Sequence, residues 1–211
     1  MIVFDKVLPY PLVGVIDSDT EIWDTLLEIE EGKNYMMSAA SGRGKSTMLS
    51  IIFGLRKDYH GTAYIDDKVI AKTSPNEWTE YRRNKISIVF QDLRLFLNHS
   101  VWENLKIKAE LYNTSNDELF KLVERLRIKH LLEHKCSHIS YGERQRVAII
   151  RALLQPFKYL LLDEPFSHLD AANIDICKEL ILEKCAEKNA GMIMGSLGDT
   201  YGIKFDRFLN L

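Results

Sequence analysis

A run of small side chains, glycines and one lysine near the start of the chain could wrap a phosphate. Residues 38 to 47 read SAASGRGKST. Glycines let backbone N–H groups turn inward toward an anion, and the first turn of a helix adds partial positive charge at the same place. A strand, a glycine-containing loop and a helix that opens with Lys-Ser is the arrangement of the phosphate-binding P-loop. The run therefore predicts a nucleotide site.

The members of this loop have separate expected roles. Lys45 would reach the β- and γ-phosphates, Ser46 would hold Mg²⁺, and Thr47 would contact the α-phosphate. The residues predicted to bind the nucleotide are Ser41, Gly42, Arg43, Gly44, Lys45, Ser46 and Thr47. Ala39 departs from the pattern, because the first position of G-x-x-x-x-G-K-[ST] is normally glycine. Alanine costs little there at negative φ and about 1 kcal/mol at positive φ.

Two adjacent carboxylates end an apolar run further along the chain. Residues 159 to 165 read YLLLDEP, which predicts a buried strand that delivers acids to the edge of a sheet. Asp163 is the predicted Mg²⁺ ligand, and Glu164 is placed to orient or deprotonate an attacking water. The alternative is a strand-end turn with solvated acids. The P-loop in the same chain favours the metal and catalytic roles.

Strands and helices alternate along the chain. Short strands are predicted within residues 1–30, then at 35–38, 61–70 (two, around an Asp-Asp turn), 85–90, 158–162 and 191–195, with helices at 45–53, 143–154 and 173–187. Residues 92 to 135 are polar with helical spacing and predict a mostly helical insert. This alternation predicts an α/β fold with a largely parallel sheet and helices on both of its faces.

Length and composition exclude several classes of protein. The 211 residues are enough for one domain, and 46% hydrophobic and 27% charged residues are typical of a soluble globular protein. A net charge of −2 gives no electrostatic case for nucleic acid. No apolar run approaches the ~18 residues of a membrane span, and Asp5 and Pro9 interrupt the stretch that a signal peptide would need. The three cysteines lack metal-site spacing, so reduced cytosolic thiols are expected.

A third motif points to a family. Residues 138 to 154 read HISYGERQRVAIIRALL, in which a serine and a glycine precede a helix with an apolar stripe. At this motif the chain resembles the ATP-binding-cassette (ABC) ATPases, whose signature is approximately L-S-G-G-[QE]. Ser140 and Gly142 match, and Tyr141 replaces the first signature glycine. Gln91 corresponds to the Q-loop glutamine and residues 167–170 to the D-loop, so the resemblance covers about residues 30 to 200.

The resemblance implies the fold of a P-loop NTPase, with a RecA-like core and an N-terminal antiparallel β subdomain. A single ABC ATPase domain would span residues 1–211. The core would lie in 1–91 and 150–211, and a helical signature subdomain in 92–149. Within that subdomain, the segment LFLNHSVWENL is similar to the one in small family members of the lipoprotein-release and macrolide-export type.

In this family two cassettes sandwich two ATP molecules, which implies roles for the motif residues. Gln91 and Glu164 would be catalytic. The implied Mg²⁺ ligands are Ser46, Gln91 and Asp163. Ser140 and the N–H of Gly142 would cap the γ-phosphate of the ATP bound to the other chain, at a helix N-terminus. Tyr141 is expected to face solvent, away from the nucleotide, and the alternative is that it crowds the dimer interface.

The chain lacks a histidine that the family carries after the last core strand, in contact with the γ-phosphate. Residues 192 to 200 read MIMGSLGDT, which places Ser196 at the usual threonine and Leu197 at the histidine. Leucine can neither donate nor accept a hydrogen bond, and losing one such contact typically costs roughly 2.7 to 4 kcal/mol, or about 100- to 1000-fold in rate. His168 is either a substitute or an interface residue, with the second favoured. Tyr10 lies nearest to the place of the family's adenine-stacking aromatic.

The resemblance implies a cytoplasmic ATPase subunit of an ABC transporter, or of an ABC-type mechanical complex, at the inner face of the cell membrane. Transmembrane permease subunits would be separate chains that dock near residues 91–98. A homodimer of cassettes is favoured over pairing with a different cassette, and no nucleic-acid partner is expected. The alternative function is a nucleotide-operated switch that closes on ATP and scarcely hydrolyses it, which Ala39, Tyr141 and Leu197 together suggest.

Overall fold

The computed structural model describes residues 1–16, 19–40 and 42–211. Ser41, one of the residues predicted to bind nucleotide, lies outside these ranges. In chain order the strands are β1 (Ile2–Pro9), β2 (Leu26–Ile29), β3 (Tyr35–Ser38), β4 (Tyr59–Ile65), β5 (Lys68–Val69), β6 (Ile86–Val89), β7 (Tyr159–Asp163), β8 (Gly191–Ser196) and β9 (Arg207–Asn210). The α-helices are α1 (Lys45–Ile52), α2 (Pro75–Asn84), α3 (Val101–Leu111), α4 (Asn116–Arg125), α5 (Tyr141–Leu153) and α6 (Ala171–Glu187).

A five-stranded parallel sheet, in the order β6-β7-β8-β3-β9, carries the P-loop and the two adjacent acids. Every residue of β7 and β8 is buried. Both strands are almost continuous apolar runs, as strands covered on both faces require. The prediction of a parallel sheet is confirmed. Because β7, β8 and β3 are neighbours and run in the same direction, the ends that carry Asp163, Ser196 and Ser38 meet at one edge of the sheet.

The parallel sheet separates two hydrophobic cores. Side chains alternate between the faces of a strand, so Leu160 and Leu162 pack into the core beneath α5 and α6. Tyr159 and Leu161 pack into the other core, together with α1 and the first strands of the chain. Helices therefore cover both faces of the sheet, as the alternation of strands and helices predicts.

A four-stranded antiparallel sheet, in the order β2-β1-β4-β5, contributes to the second core. Its register pairs Ile2 with Ile29 and with Ile65, so buried residues of three strands face the same side. Asp66 and Asp67 join β4 to β5 with φ of +47° and +64°. Two successive left-handed residues are the backbone of a tight type I′ hairpin turn. The predicted N-terminal antiparallel subdomain and its Asp-Asp turn are confirmed.

The structure adds two elements, α2 and β9, that the sequence pattern does not predict. Only Trp78 of α2 is buried, so the helix has no apolar stripe to reveal it. The start of the helix is nevertheless specified by a capping box, in which the Ser74 side chain accepts from the Glu77 N–H and the Glu77 carboxylate accepts from the Ser74 N–H. Local capping chemistry is therefore the signal that identifies α2.

Helices α3, α4 and α5 form the helical insert beside the sheet, with α3 packed against α5. Helix α5 runs without a break across residues 149 and 150. The boundary that the sequence analysis places there falls inside a helix, so one continuous element joins the insert to the core. Within the described ranges, no helix combines the length and apolar composition needed to cross a membrane.

The glycine that ends α1 gives a test of this packing. Gly54 has φ of +73°, and a methyl group there would lie 2.3 Å from the Trp78 indole. Gly32 has a similar φ of +75° but open space around it. We expect Gly32→Ala to lower the free energy of unfolding by about 1 kcal/mol through backbone strain. Gly54→Ala should lower it by about 2 to 4 kcal/mol, because overpacking is added to the strain. Urea denaturation measures both, and equal losses would contradict the contact with Trp78.

Candidate nucleotide-binding site

The P-loop connects the end of β3 to the start of α1 through two left-handed glycines. Gly42 has φ of +83°, and Gly44, at the N-cap of α1, has φ of +106°. Side chains other than glycine are strained in this region, so the loop needs glycine at both positions. Ala39 stays outside the left-handed region. The departure from the usual motif at Ala39 therefore brings no left-handed strain.

Lys45 is buried beneath the loop. Its Nζ donates to the carbonyl oxygens of Ala39 (2.5 Å) and Ala40 (3.1 Å), and it lies 4.0 Å from Glu164 Oε1. Burial lowers the pKa of Lys45, and the charges of Glu164 and Asp163 oppose that shift. The ammonium is thus held at the centre of the loop, where the phosphates of a nucleotide would meet it.

Asp163 ends β7 with its carboxylate almost fully buried. Its Oδ1 has no hydrogen-bond partner among the described residues. Burial raises the pKa of Asp163, as does the charge of Glu164, while the Ser46 hydroxyl partly opposes the shift. A buried carboxylate oxygen without a partner is unfavourable unless a cation or water completes it. The environment of Asp163 is therefore that of a carboxylate that binds a cation.

The donors around Asp163 fit Mg²⁺. Ser46, Gln91 and Asp163 line one cleft and offer only oxygen atoms or a side-chain amide, and Mg²⁺ prefers oxygen ligands. The described residues contain no cluster of three His, Cys, Asp or Glu side chains able to form a metal cage. Mg²⁺ suits such a site, because it is commonly held by one or two carboxylates and completed by waters and substrate phosphates.

Glu164 is turned toward the P-loop by a left-handed backbone, with φ of +49°. Its N–H donates to the Gly195 carbonyl (2.9 Å), and its own carbonyl accepts from Gln145 Nε2 (3.0 Å). Its side chain lines the same pocket as Gly42, Gly44, Lys45, Ser46, Thr47 and Gln91. A non-glycine residue in this region costs of order 1–3 kcal/mol, so the surrounding hydrogen bonds hold Glu164 in place.

Gln145 is a site residue that the sequence analysis does not identify. It is buried on α5, donates from Nε2 to the Glu164 carbonyl, and accepts from the His168 N–H with Oε1 (3.3 Å). One amide therefore ties the segment of the predicted base to the D-loop. Gln145 could have been identified as the one polar residue on the otherwise apolar buried side of α5. A polar residue at such a position normally has specific hydrogen-bond partners.

Tyr141 is half-buried, so the expectation that it faces solvent is wrong. Its hydroxyl donates to the carbonyl of Gln91 (2.5 Å), and its ring lies 4.3 Å from the His168 ring. The side chain therefore fills the space between the Q-loop and the D-loop of its own chain. Gln91 itself is exposed and reaches the P-loop pocket with its side chain. His168 is engaged with Tyr141 on the signature side of the molecule.

Ser140 and Gly142 shape the start of α5. Ser140 accepts from the Glu143 N–H and donates its own N–H to the Glu143 carboxylate, which is a capping box. A methyl group at Gly142 would lie 2.6 Å from the His168 carbonyl oxygen, so glycine lets the D-loop approach the helix. These residues line a surface cleft that shares no residue with the P-loop pocket. Within one chain, Tyr141 lines a cleft together with Ser46 and Asp163, whereas Ser140 and Gly142 do not line the P-loop pocket.

Leu197 projects into solvent with 68% of its surface exposed, directly after the end of β8. Beside it, Ser196 is buried and donates its hydroxyl to the Asp199 carbonyl (2.9 Å). The position of the expected histidine therefore holds an exposed apolar side chain. Thr47 and Arg43 also have contacts of their own, since the Thr47 hydroxyl accepts from Arg56 (3.4 Å) and Arg43 donates to the Val15 carbonyl (3.1 Å).

Tyr10 is an exposed aromatic residue that follows β1. Its ring is 54% exposed and 4.7 Å from the His60 ring. Its N–H donates to the Asp58 carbonyl, and Asp58 pairs with Arg56, which contacts Thr47. This series of contacts connects Tyr10 to Thr47 through Asp58 and Arg56.

Known proteins are similar to this chain in sequence. The model of the ABC transporter family matches residues 23–167. The lipoprotein-releasing system ATP-binding protein LolD of Saccharophagus degradans is 30% identical over 80% of this chain and 75% of that protein. The glucose import ATP-binding protein GlcV of Saccharolobus solfataricus is 37% identical over 74% of this chain, but the match spans only 45% of GlcV.

Solved structures resemble the whole chain. The dimeric structure of MJ0796, a bacterial ABC transporter cassette, has a TM-score of 0.80 at 27% identity and covers 100% of this chain and 94% of that one. A dimeric post-hydrolysis state of the same cassette, bound to ADP and Pi, has a TM-score of 0.76 at 28% identity and covers 94% and 88%.

The buried carboxylate gives a test of the metal site. Asp163→Asn should raise the free energy of unfolding at pH 7 without nucleotide or Mg²⁺. Because burial raises the pKa of Asp163 in the folded chain, its ionised form opposes folding above the unfolded-state pKa of about 3.9. The gain is therefore absent below about pH 4, grows as pH rises from the unfolded-state pKa to the folded-state pKa, and is constant above the folded-state pKa. Urea unfolding across this pH range measures the gain.

Asp170→Asn is the matched control for that experiment. Asp170 caps α6, and hydrogen bonds from Asn173 lower its pKa, so its ionised form favours folding. This substitution should bring no gain at pH 7. A loss of stability in Asp163→Asn at pH 7 would show that the parent carboxylate is better satisfied than the structure indicates.

Proposed function

This chain belongs to the ABC transporter family, and we propose that it is the ATP-binding and ATP-hydrolysing subunit of a transporter whose membrane-spanning permease subunits are separate chains. The observation that carries the proposal is the position of Glu164, whose carboxylate lies 4.0 Å from the P-loop ammonium of Lys45. A candidate base is thereby placed beside the group that would hold the terminal phosphates.

Residues of one chain bind the phosphates, activate the water and hold the metal. The P-loop N–H groups and Lys45 bind the phosphates of ATP, and Gln91 and Glu164 line the same pocket. Glu164 orients the attacking water and accepts its proton. Ser46, Gln91 and Asp163 would hold Mg²⁺, which would supply positive charge against the charge that develops on the transferred phosphoryl group.

A second cassette completes the site. Ser140 and Gly142 lie at the exposed start of α5, in a cleft separate from the P-loop pocket of the same chain. A helix N-terminus with free N–H groups binds a phosphate well, so the signature caps the γ-phosphate of the ATP held by the partner. The MJ0796 cassette, which resembles this chain over its whole length, is dimeric. We favour a homodimer, and a pair with a different cassette is the alternative.

Leu197 favours a second candidate function, a nucleotide-operated switch with little hydrolysis. An exposed leucine stands where the family resemblance places a γ-phosphate contact, and such a contact is typically worth about 100- to 1000-fold in rate. A slow cassette would still close on ATP, because the P-loop glycines and Lys45 are in place. The two candidates differ only in turnover.

Steady-state hydrolysis separates these candidates. Glu164→Gln should lower the rate of phosphate release by about 100-fold or more, because a general base contributes about that much. ATP affinity, followed with a fluorescent analogue, should change less than about 3-fold, since the P-loop is intact. Glu179→Gln, an exposed glutamate on α6, is the control and should leave both quantities unchanged. ATP binding without turnover in the parent, even with its permease present, would favour the switch.

The permease subunits, we infer, dock in a groove between the parallel sheet and the helical insert. Its apolar wall and its two cations are contributed by Phe53, Phe90, Phe96, Ile107, Lys108 and Arg151. No carboxylate is among the described residues that line it. Burial, followed by the charge of Arg151, lowers the pKa of Lys108 to about 8, and burial also lowers the pKa of Arg151. A partner segment that combines an apolar anchor with a carboxylate fits this groove.

This docking position connects the membrane partner to the site. Arg151 donates to the carbonyl of Leu93 (2.7 Å), two residues after Gln91. A segment seated in the groove therefore touches the element that carries Gln91. Binding there places the cassette at the cytoplasmic face of the membrane as a peripheral subunit.

Charge reversal in the groove tests the docking. Lys108→Glu should lower co-purification with the permease in detergent by about 10-fold or more, because a like charge now faces the partner carboxylate. Hydrolysis by the isolated cassette should stay at the parent level. Lys121→Glu, an exposed lysine on α4, is the control for net charge and should bind the permease normally. Equal co-purification of both variants would place the permease elsewhere.

A further inference from the structure

Two side chains of α5 hold the Q-loop segment that follows β6. The Tyr141 hydroxyl donates to the Gln91 carbonyl (2.5 Å), and Arg151 donates to the Leu93 carbonyl (2.7 Å). Tyr141 is the first residue of α5 and Arg151 lies in its last turn, about 15 Å away along the helix axis. The two acceptor residues are at most about 7 Å apart along the chain. Both side chains therefore converge on one short piece of the Q-loop from opposite ends of α5.

The Q-loop needs such contacts because its backbone is strained. Leu93 and Arg94 have φ of +61° and +46°, in the left-handed region that side chains other than glycine disfavour. Strained backbone of this kind persists only where surrounding contacts hold it. Among the described residues, the Tyr141 hydroxyl is the one donor to the Gln91 carbonyl. This hydrogen bond is therefore the contact that orients the Gln91 peptide at the start of the strained segment.

The Tyr141 ring is held in place, so its hydroxyl has a fixed direction. The ring lies 4.3 Å from the His168 ring, and the Arg144 guanidinium lies over it, 5.4 Å from the centroid. The capping box of Ser140 and Glu143 fixes the helix turn that carries the ring. A side chain that is already immobilised loses little conformational entropy when it makes a hydrogen bond. The packing around the ring therefore favours the hydrogen bond from its hydroxyl.

The side chain of Gln91 is placed by its backbone. It is exposed, and no hydrogen bond from or to its amide is formed with another described residue. Gln91 nevertheless lines two spaces, the P-loop pocket with Glu164 and the cleft with Asp163. Tyr141 lines the second of these spaces itself. A rotation of the Gln91 peptide would therefore displace the amide from both the phosphate site and the metal site.

We propose that Tyr141 is a positioning residue for the nucleotide and metal site, which acts by holding the Gln91 peptide and through it the Gln91 amide. The inference rests on the proposed function, in which Gln91 is a ligand of Mg²⁺ and a catalytic residue. The signature glycine that Tyr141 replaces has no side chain with which to make this contact. The position of Gln91 in this chain therefore depends on a residue of its own helical insert.

Tyr141→Phe tests the hydroxyl alone, since it keeps the ring on His168. The probe is Mn²⁺, followed by electron paramagnetic resonance in the presence of a non-hydrolysable ATP analogue. Tyr141→Phe should weaken Mn²⁺ binding by about 3- to 10-fold, the usual net effect of one hydrogen bond. Affinity for the analogue without metal should change by less than about 2-fold, because the P-loop is untouched. Tyr64→Phe, a half-buried tyrosine of β4, is the control and should bind Mn²⁺ like the parent.

A second background shows whether Tyr141 acts through Gln91. In Gln91→Ala the amide is already absent, so adding Tyr141→Phe should weaken Mn²⁺ binding further by less than about 2-fold. Steady-state hydrolysis should follow the same pattern, with kcat about 3- to 10-fold lower in the first comparison and less than about 2-fold lower in the second. Equal losses in both backgrounds would show that the hydroxyl acts elsewhere and would overturn the inference.

Hydrogen exchange separates a local effect from a loss of packing. In Tyr141→Phe the N–H groups of Leu93 and Arg94, which donate within the Q-loop, should exchange about 3-fold faster or more, while α5 keeps the exchange rate of the parent. Faster exchange throughout α5 would assign the effect to packing and overturn the inference.

Three further outcomes separate this inference from the proposed function. If the parent hydrolyses ATP and Tyr141→Phe binds Mn²⁺ as tightly as the parent, the inference is overturned while the ATPase function stands. If the parent binds Mn²⁺ with the analogue but does not hydrolyse ATP, the ATPase function is overturned and the Mn²⁺ comparison still decides the inference. If the parent binds no Mn²⁺ with the analogue, both are overturned.

Discussion

The buried ammonium of Lys45 is the interaction on which the nucleotide site depends. A charge taken out of water is strongly unfavourable unless opposite charges and hydrogen bonds replace the water. Here the carbonyls of Ala39 and Ala40 come from the P-loop, and the carboxylates of Asp163 and Glu164 come from the end of β7. The ammonium is satisfied only while loop, helix and strand keep their relative positions, so its burial fixes the P-loop to the edge of the sheet.

A continuous series of contacts joins the groove to the predicted base. Arg151 holds the segment after Gln91, and the carbonyl of Gln91 accepts from Tyr141. Tyr141 packs on the ring of His168. The backbone N–H of His168 donates to the side-chain amide oxygen of Gln145. The same amide donates to the carbonyl of Glu164. The Q-loop segment is therefore linked to Glu164 by packed or hydrogen-bonded groups without interruption. One of these contacts exists because Tyr141 replaces a signature glycine.

The sequence identifies the parts of the site that depend on local chemistry. Gly42, Gly44 and Lys45 are recognisable because a phosphate-binding turn needs those residue types in that order, and the apolar run before Asp163 is recognisable because a strand buried on both faces needs it. Helix α2 cannot be predicted from apolar periodicity, because Trp78 is its one buried residue. The orientation of Tyr141 and the partners of Gln145 depend on residues more than twenty positions away or on other elements, so no local pattern contains them.

Backbone strain provides an independent argument for where the function lies. Among the described residues, eleven other than glycine have positive φ, and five of these are Asn or Asp, which tolerate that region. Of the remaining six, Lys6 lies at the irregular register of β1 and Arg127 follows the C-cap of α4, where left-handed residues commonly end helices. The other four are Leu93, Arg94, Glu164 and Tyr201. All four lie in the segments that border the predicted hydrolysis site. Strain of this kind persists only where surrounding contacts over-determine it, so contacts hold unfavourable backbone conformations in the Q-loop, at the predicted base and in the turn after β8.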